Sequence, residues 1–267
     1  MNRSLTIHLD GAEAPFAPFA RIHLTGKTGL ALYPYLFTLE IWNLSDSQHL
    51  QLFRARQITV MRDNSCIAFG QLSDVYRRTV PEGTVTTAAI SLGLDLWQAR
   101  IAHTASADDT LFNTVRALLD ASNTSIPLLD VSGEDPILPR GQSFCGRASL
   151  CIAEALSTAK ARGVLTPAGL KVIRADPAPT DEAQPPATAS PPLQLTTADL
   201  TDAPAFAAGG KNLILSTTVT GFQPGDEVTL TCNNTTCTGL ILERMVDADT
   251  ATGPWRAELL IGRKDDA

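Results

Sequence analysis

Phe37-Thr38-Leu39-Glu40-Ile41-Trp42 is the stretch on which the fold turns. Apolar and polar side chains alternate with period two, so Phe37, Leu39 and Ile41 fall on one face of a half-buried strand. The strand gives way at Asn43-Leu44-Ser45. Ser45 or Asp46 is placed to cap a short helix through Leu50, Leu52 and Phe53, because a side-chain oxygen there satisfies an orphan backbone amide. Working outward, residues 5–9 and 21–24 alternate as well. Residues 57–61, 65–76 and 84–92 are rich in β-branched and apolar side chains, with Asp63-Asn64 as a turn pair between the first two. Antiparallel strands in such close succession form a meander that must curl or close to hide its edges.

At Asp108 the period changes. Leu111, Val115, Leu118 and Leu119 recur at helical spacing behind Asp108 and Asp109, carboxylates that suit a helix start. A second helix is expected over 148–161, with Leu150, Ala153, Ala155 and Leu156 as its apolar stripe and Gly163 as its stop. A short strand follows at 169–173. Residues 175–192 carry six prolines among Ala, Thr, Asp and Glu, a composition that buries too little apolar surface to offset ordering, and read as a mobile loop or linker. Strands resume at 212–219 and 227–232, joined through Phe222-Gln223-Pro224-Gly225-Asp226, and again at 238–246 and 255–261, with a turn over 247–254. The expected organisation is mainly β with a small α/β module: a first β domain over 1–105, the mixed module over 106–174, the Pro-rich segment over 175–192 and a second β domain over 193–267.

The 267 residues are 44% hydrophobic and 18% charged, which excludes disordered, collagenous and coiled-coil classes. A net charge of −7 argues against duplex DNA as a ligand, since that affinity comes from Lys and Arg neutralising phosphates. No run of about 18 apolar residues occurs, and MNRSLTIHLDG lacks the apolar core of a signal peptide, so neither secretion nor membrane insertion is expected. Five cysteines, Cys66, Cys145, Cys151, Cys232 and Cys237, are an odd set at irregular spacing and read as free thiols. Cys232 and Cys237 flank a turn, so a disulfide clamping that hairpin in an oxidising medium stays open.

Catalytic motifs fail on inspection. Gly26-Lys27-Thr28 resembles the tail of a phosphate loop, but Arg21 stands where that loop needs glycine, and a polar turn between strands is the simpler reading. Gly141-Gln142-Ser143-Phe144-Cys145 departs from a nucleophile elbow at Cys145. His8, His23, His49 and His103 lie too far apart in sequence for a helix-borne or hairpin metal site. Asn43-Leu44-Ser45, Asn123-Thr124-Ser125 and the Asn233/Asn234 run match the glycosylation pattern, which has no use without a secretory route. No catalytic, cofactor-binding or metal-binding residue is assigned, and an enzyme is not expected.

The order of the landmarks resembles the baseplate hub proteins of tailed phages and phage-derived injection machines. Three places carry the likeness: the strand ending in Trp42-Asn43-Leu44-Ser45 with its helix, the next strand and Ile67-Ala68-Phe69-Gly70; the segment Ile137-Leu138-Pro139-Arg140-Gly141-Gln142-Ser143-Phe144 leading into the second helix; and Phe222-Gln223-Pro224-Gly225-Asp226-Glu227-Val228 with the closing hairpin Gly253-Pro254-Trp255-Arg256-Ala257-Glu258-Leu259. The resemblance implies two tail-tube-like β-barrel domains with the mixed module inserted. It further implies a late structural protein of the virion tail baseplate, assembled in the bacterial cytoplasm. Such a hub is a homotrimer that joins the tail tube or distal tail protein to the central spike, near the tape-measure protein, and DNA passes its lumen without specific binding. The competing reading is a non-viral β-rich binding or adhesion module, for which Trp42, Trp97 and Trp255 are too scattered to stack a sugar.

Overall fold

The computed structural model of the chain describes residues 3–129, 135–174, 192–207, 212–219, 221–232 and 235–263. Among them run strands β1 (Thr6–Leu9), β2 (Ile22–Gly29) and β3 (Tyr35–Trp42), helix α1 (Asp46–Arg54), and strands β4 (Gln57–Arg62), β5 (Ser65–Val80) and β6 (Gly83–Leu92). Helix α2 (Leu94–Gln98), strand β7 (Arg100–Ala105), helix α3 (Leu111–Ala121), strand β8 (Gln142–Arg147), helix α4 (Ala148–Thr158) and the hairpin β9 (Ala161–Thr166) and β10 (Gly169–Arg174) follow. The chain closes with β11 (Leu193–Thr196), β12 (Ala205–Phe206), β13 (Asn212–Thr217), β14 (Glu227–Cys232), β15 (Thr235–Asp249) and β16 (Trp255–Arg263).

These elements form two compact units. The first comprises Met1–Gly29, Tyr35–Leu92 and Pro192–Ala267; the second comprises Leu30–Pro34 and Gly93–Pro191. Residues 93–105, which the sequence reading put in the first β domain, belong to the second unit, because β7 pairs with β8 across a 36-residue separation that periodicity does not report. The Pro-rich expectation, apart from Pro192, lies outside the described residues, as does the Asn233/Asn234 run.

In the first unit one sheet runs β1-β4-β5-β6-β3-β2-β15-β16-β13-β12, with β11 and β14 attached through β15. The two β domains expected at either end of the chain therefore share a sheet. Each has its own core. Ile22, Leu24, Phe37, Leu39, Ile41, Ile58, Val60, Ala88 and Ile90 gather in the first lobe, joined by Val246, Ala248 and Trp255 from the C-terminal region. Leu195, Leu213, Leu215, Phe222, Val228, Leu230, Ile241, Leu259 and Ile261 make the second. Phe37, Leu39 and Ile41 are almost completely buried, as their period-two spacing requires.

Local chemistry explains the turns. Asn43 takes a left-handed backbone (φ 56°), which an Asn tolerates, and its Oδ1 accepts from the Thr84 amide. Ser45 then caps α1 in a reciprocal box with Gln48. Of the apolar residues expected to anchor this helix only Leu52 is buried; Leu50 and Phe53 face outward. Asp63 and Asn64 both have positive φ, the backbone of a two-residue hairpin turn. Gly26 sits opposite Phe37 in the ladder, and a Cβ at this position would run into the Phe37 ring. Gly26-Lys27-Thr28 is thus strand interior, neither a phosphate loop nor the polar turn that the sequence suggested.

The second unit packs α3 on α4. Thr110, with its side chain accepting from Asn113, caps α3, and Asp135 Oδ1 accepts from the Phe112 amide; Asp109 instead caps its own turn by accepting from Ser106. The carboxylates expected at the helix start therefore lie before it. Helix α4 ends at Thr158, short of Gly163, because Lys160 turns left-handed (φ 53°) into β9. Its buried face is Ala148, Ser149, Cys151, Ile152, Ala155 and Leu156, whereas Leu150 is exposed. Gly163 serves packing: Leu156, Leu170 and Leu32 crowd the space where its Cβ would be.

Candidate assembly surfaces and the junction between the β lobes

Strand β15 is the element that positions everything else. Up to Leu240 it pairs with β14 of the second lobe, and from Glu243 onward the same edge pairs with β2 of the first. The change falls at a bulge, where Ile241 and Glu243 oppose Ile261 and Leu260 and Leu242 is the extra residue. A bulge bends a strand and raises its twist, and here it lets one strand leave one core and enter the next.

Two buried arginines hold this junction. Arg244 on β15 is 4% exposed, and it donates from Nη1 to the Phe222 carbonyl and from Nη2 to the Ile67 carbonyl, at 2.7 Å each. Ile67 is itself an extra residue, between the Val60–Ala68 and Met61–Cys66 pairs of β4 and β5, so its carbonyl is free of the regular ladder. Burial pushes the Arg244 guanidinium down to about 10. Arg62 on β4 is also buried; it donates to the Thr218 carbonyl at 2.6 Å and lies 4.3 Å from the centre of the Trp255 ring. The turn Gln223-Pro224-Gly225-Asp226 completes the contact. Gly225 supplies the positive φ (86°) that a Pro-Gly turn needs, and Gln223 Nε2 donates to the Cys66 carbonyl. Burial pushes the Cys66 thiol up to about 11, so it is neutral at physiological pH.

The outward face of the sheet mixes charged side chains with the exposed apolar groups Leu36, Tyr76 and Met245. Glu40, Asp74, Glu243, Asp247 and Glu258 stand among Lys27, Arg78 and Arg256, an excess of carboxylates. His23 lies between two of them, with Nε2 3.0 Å from Asp247 and Nδ1 3.5 Å from Glu40. A neutral imidazole can donate to only one of the two. At the rim Asp249 accepts from Arg21 at 2.8 Å and from the Ala251 amide at 2.7 Å, and Arg21 stacks on Trp42. Burial alone would raise the Asp249 carboxyl, but those hydrogen bonds and the Arg21 charge outweigh it and hold the group below the usual carboxylate range.

That direction fixes a pH dependence. A carboxyl whose folded pKa is depressed stabilises the fold above its unfolded value, near 3.8, and the contribution is lost as pH falls through the folded value. Asp249→Asn is expected to cost about 1 kcal/mol at pH 7, a charge-assisted bond discounted because Arg21 is partly exposed. Midpoints of thermal unfolding should converge as pH falls below 3.8 and through the folded value; equal midpoints at pH 7 would remove Asp249 from the stabilising set.

The residues weighed in sequence do not converge. His8, with Nδ1 donating to the Ala12 carbonyl, and His49 on α1 stay apart from His23, and His103 sits in β7 of the second unit. Among the described residues no group of three His, Cys, Asp or Glu side chains could hold a metal. Ser143 lies within β8 beside Thr104, an extended strand rather than an elbow. All five cysteines are free, and the ladder opposes Cys232 to Thr235 and Cys237 to Leu230, so the two thiols are diagonal rather than facing. The part that Arg62, Arg244 and Trp255 play in joining the lobes is not legible in the sequence. Arg62 continues the inward alternation of Ile58 and Val60 on β4, whereas Arg244 turns inward only once the bulge at Leu242 sets the alternation.

No family model and no curated protein sequence matches the chain. Solved structures do. The tail protein from Neisseria meningitidis MC58 is similar with a TM-score of 0.69 at 11% identity, over 99% of this chain and 97% of its own. The 43 kDa tail protein of prophage MuSo2 from Shewanella oneidensis gives 0.63 at 11% identity, over 98% and 97%. An E. coli component of the type VI secretion system, described as structurally similar to the T4 bacteriophage tail proteins gp27 and gp5, gives 0.62 at 9% identity, over 96% and 76%. The mainly β fold with its inserted mixed module is the fold of these tail proteins.

Proposed function

We propose that this chain is a structural component of a phage tail or phage-like injection machine, a baseplate hub that joins the tail tube or distal tail protein to the central spike. The observation that carries the reading is the match to tail proteins over nearly the whole of both chains. Two β lobes on one sheet support it further: in a trimer, two lobes per chain make six comparable surfaces, enough to meet a six-fold tube on one side and a three-fold spike on the other. Strand β5 adds an edge, since it runs beyond its last pair with β4 at Gln71 and exposes Ser73, Asp74, Tyr76 and Arg78. Natural proteins cover, pair or charge such edges, and a neighbouring protomer would cover this one.

The role is mechanical and needs no chemistry from the chain. The excess of carboxylates on the outward sheet face suits a conduit, because a like-charged wall does not retain DNA or another polyanion. The place of action is then the virion tail, reached by assembly in the host cytoplasm beside the tape-measure protein. Light scattering tests the reading. Three chains of 28.4 kDa should give a particle of about 85 kDa, alone or on addition of the cognate tube or spike protein. A monomer under both conditions would reject the hub.

A further inference from the structure

The tripeptide Ala-Pro-Phe occurs twice in succession, over 14–16 and 17–19, and its two copies meet opposite fates. Phe16 enters the core of the first lobe, where its amide donates to the Ile7 carbonyl at 2.7 Å. Phe19 is 99% exposed. Between them Ala17 is buried with a left-handed backbone (φ 45°), which a residue with a Cβ adopts only at a cost. Pro18 presets the next dihedral, and the Ala20 amide closes the turn on the Ala17 carbonyl at 3.0 Å. The chain thus builds a strained turn, anchored at Phe16, that presents a bare phenyl ring. A ring held on such a turn loses little freedom on docking, which is the property of an interface anchor. The loop over 10–20 that carries it holds Asp10 and Glu13 and no Lys or Arg.

Helix α1 offers a second uncovered surface of the opposite kind. Leu50, Phe53 and Arg54 recur at i, i+3 and i+4 and share its outer stripe, away from the buried Leu52. Leu50 is 50% exposed and Phe53 62%, on a stripe that an amphipathic helix ordinarily keeps polar. Arg54 and Arg56 stand exposed at the C-terminal end of the helix, and neither makes an ion pair among the described residues. Both surfaces belong to the first unit, and within one chain neither covers the other, since Phe19 is bare.

We infer that Phe19 of one copy docks on Leu50 and Phe53 of a second copy, with Glu13 set toward Arg54 and Arg56, as the anchoring contact of the ring of copies proposed above. The inference rests on that ring and names its contact. A second copy covers both surfaces at once, whereas an unrelated partner for either would leave the other bare. The two patches differ, so the contact is heterologous, the kind from which rings close. The acidic loop and the basic helix end are complementary in charge, which sets orientation and discourages other pairings. One aromatic ring supplies only part of a stable interface, so Phe19 is its hot spot and not its whole extent.

Benzoylphenylalanine in place of Phe19 gives a direct readout. Irradiated under the conditions that assemble the full chain, alone or with the cognate tube or spike protein, it should join two chains, and mass spectrometry should map the cross-link to the peptide holding Leu50 and Phe53. In light scattering, Phe19→Ser and Phe53→Ser should each weaken the association by roughly thirtyfold, and the double variant by little more than either alone. Both side chains are exposed, so the thermal midpoints of the unassembled variants should match that of the parent chain. A trimer that survives both substitutions, or a cross-link that maps elsewhere, would overturn this contact and leave the hub reading standing. A chain that stays monomeric under every condition would overturn both.

Discussion

Arg244→Ala is expected to lower the unfolding free energy by about 3 kcal/mol, which is a large share of the stability of an ordinary domain. The loss has two sources. The carbonyls of Phe222 and Ile67 each lose a charged donor at 2.7 Å and stay buried, at about 1–3 kcal/mol per unsatisfied acceptor. A void replaces the long stem, while relief of the desolvation of the guanidinium returns part of the cost. Arg244→Met should lose less, because it restores volume without restoring donors. Urea unfolding followed by tryptophan fluorescence measures both. A cost below 1 kcal/mol for alanine would mean that the turn and the β4–β5 bulge hold together without this side chain.

Trp255→Ala should cost about 4 kcal/mol, within the range for truncating a buried tryptophan. Trp255 opens β16, is 6% exposed, packs in the core of the first lobe and carries the Arg62 guanidinium on its face. Its loss strips packing and a desolvated cation–π contact in one step. Trp255→Phe should recover more than half. Because Arg62 touches the ring, Arg62→Met and Trp255→Ala should not add: the double variant is expected to fall short of the sum by about 0.5–2 kcal/mol. Strict additivity, measured by the same urea titrations, would separate the two residues.

Legibility followed the range of the interactions. Where one face is buried and neighbours are close in sequence, as at Phe37, Leu39 and Ile41, period two placed the strand and the face together. The cap at Ser45, the turn at Asp63-Asn64 and the Pro224-Gly225 turn were legible for the same local reason. Strand β7 was missed because its partner β8 lies across α3, and Leu150 was set on the wrong face of α4 because alanines and a buried Ser149 blur that helix's apolar stripe. The sharing of β15 between the lobes was invisible. A run such as Leu240-Ile241-Leu242-Glu243-Arg244 reads as a continuous strand, and only the ladder partners reveal that Leu242 is extra and Arg244 points inward. No catalytic centre was expected from these residues, and the functional surfaces proposed instead depend on edges and faces, which tertiary pairing creates.

Strand β15 also decides how a pull between the two lobes would be borne. Elsewhere two domains part when a surface contact yields, one patch peeling from another. Here the tension would travel along a covalent backbone, from the rungs shared with β14 to those shared with β2, and β16 spans the crossing on the other side. To separate the lobes the strand has to be drawn out of a ladder lengthwise, with its rungs loaded in shear and failing together. The unit should therefore rupture in a single high-force event in an optical trap, without a compliant first step at the junction.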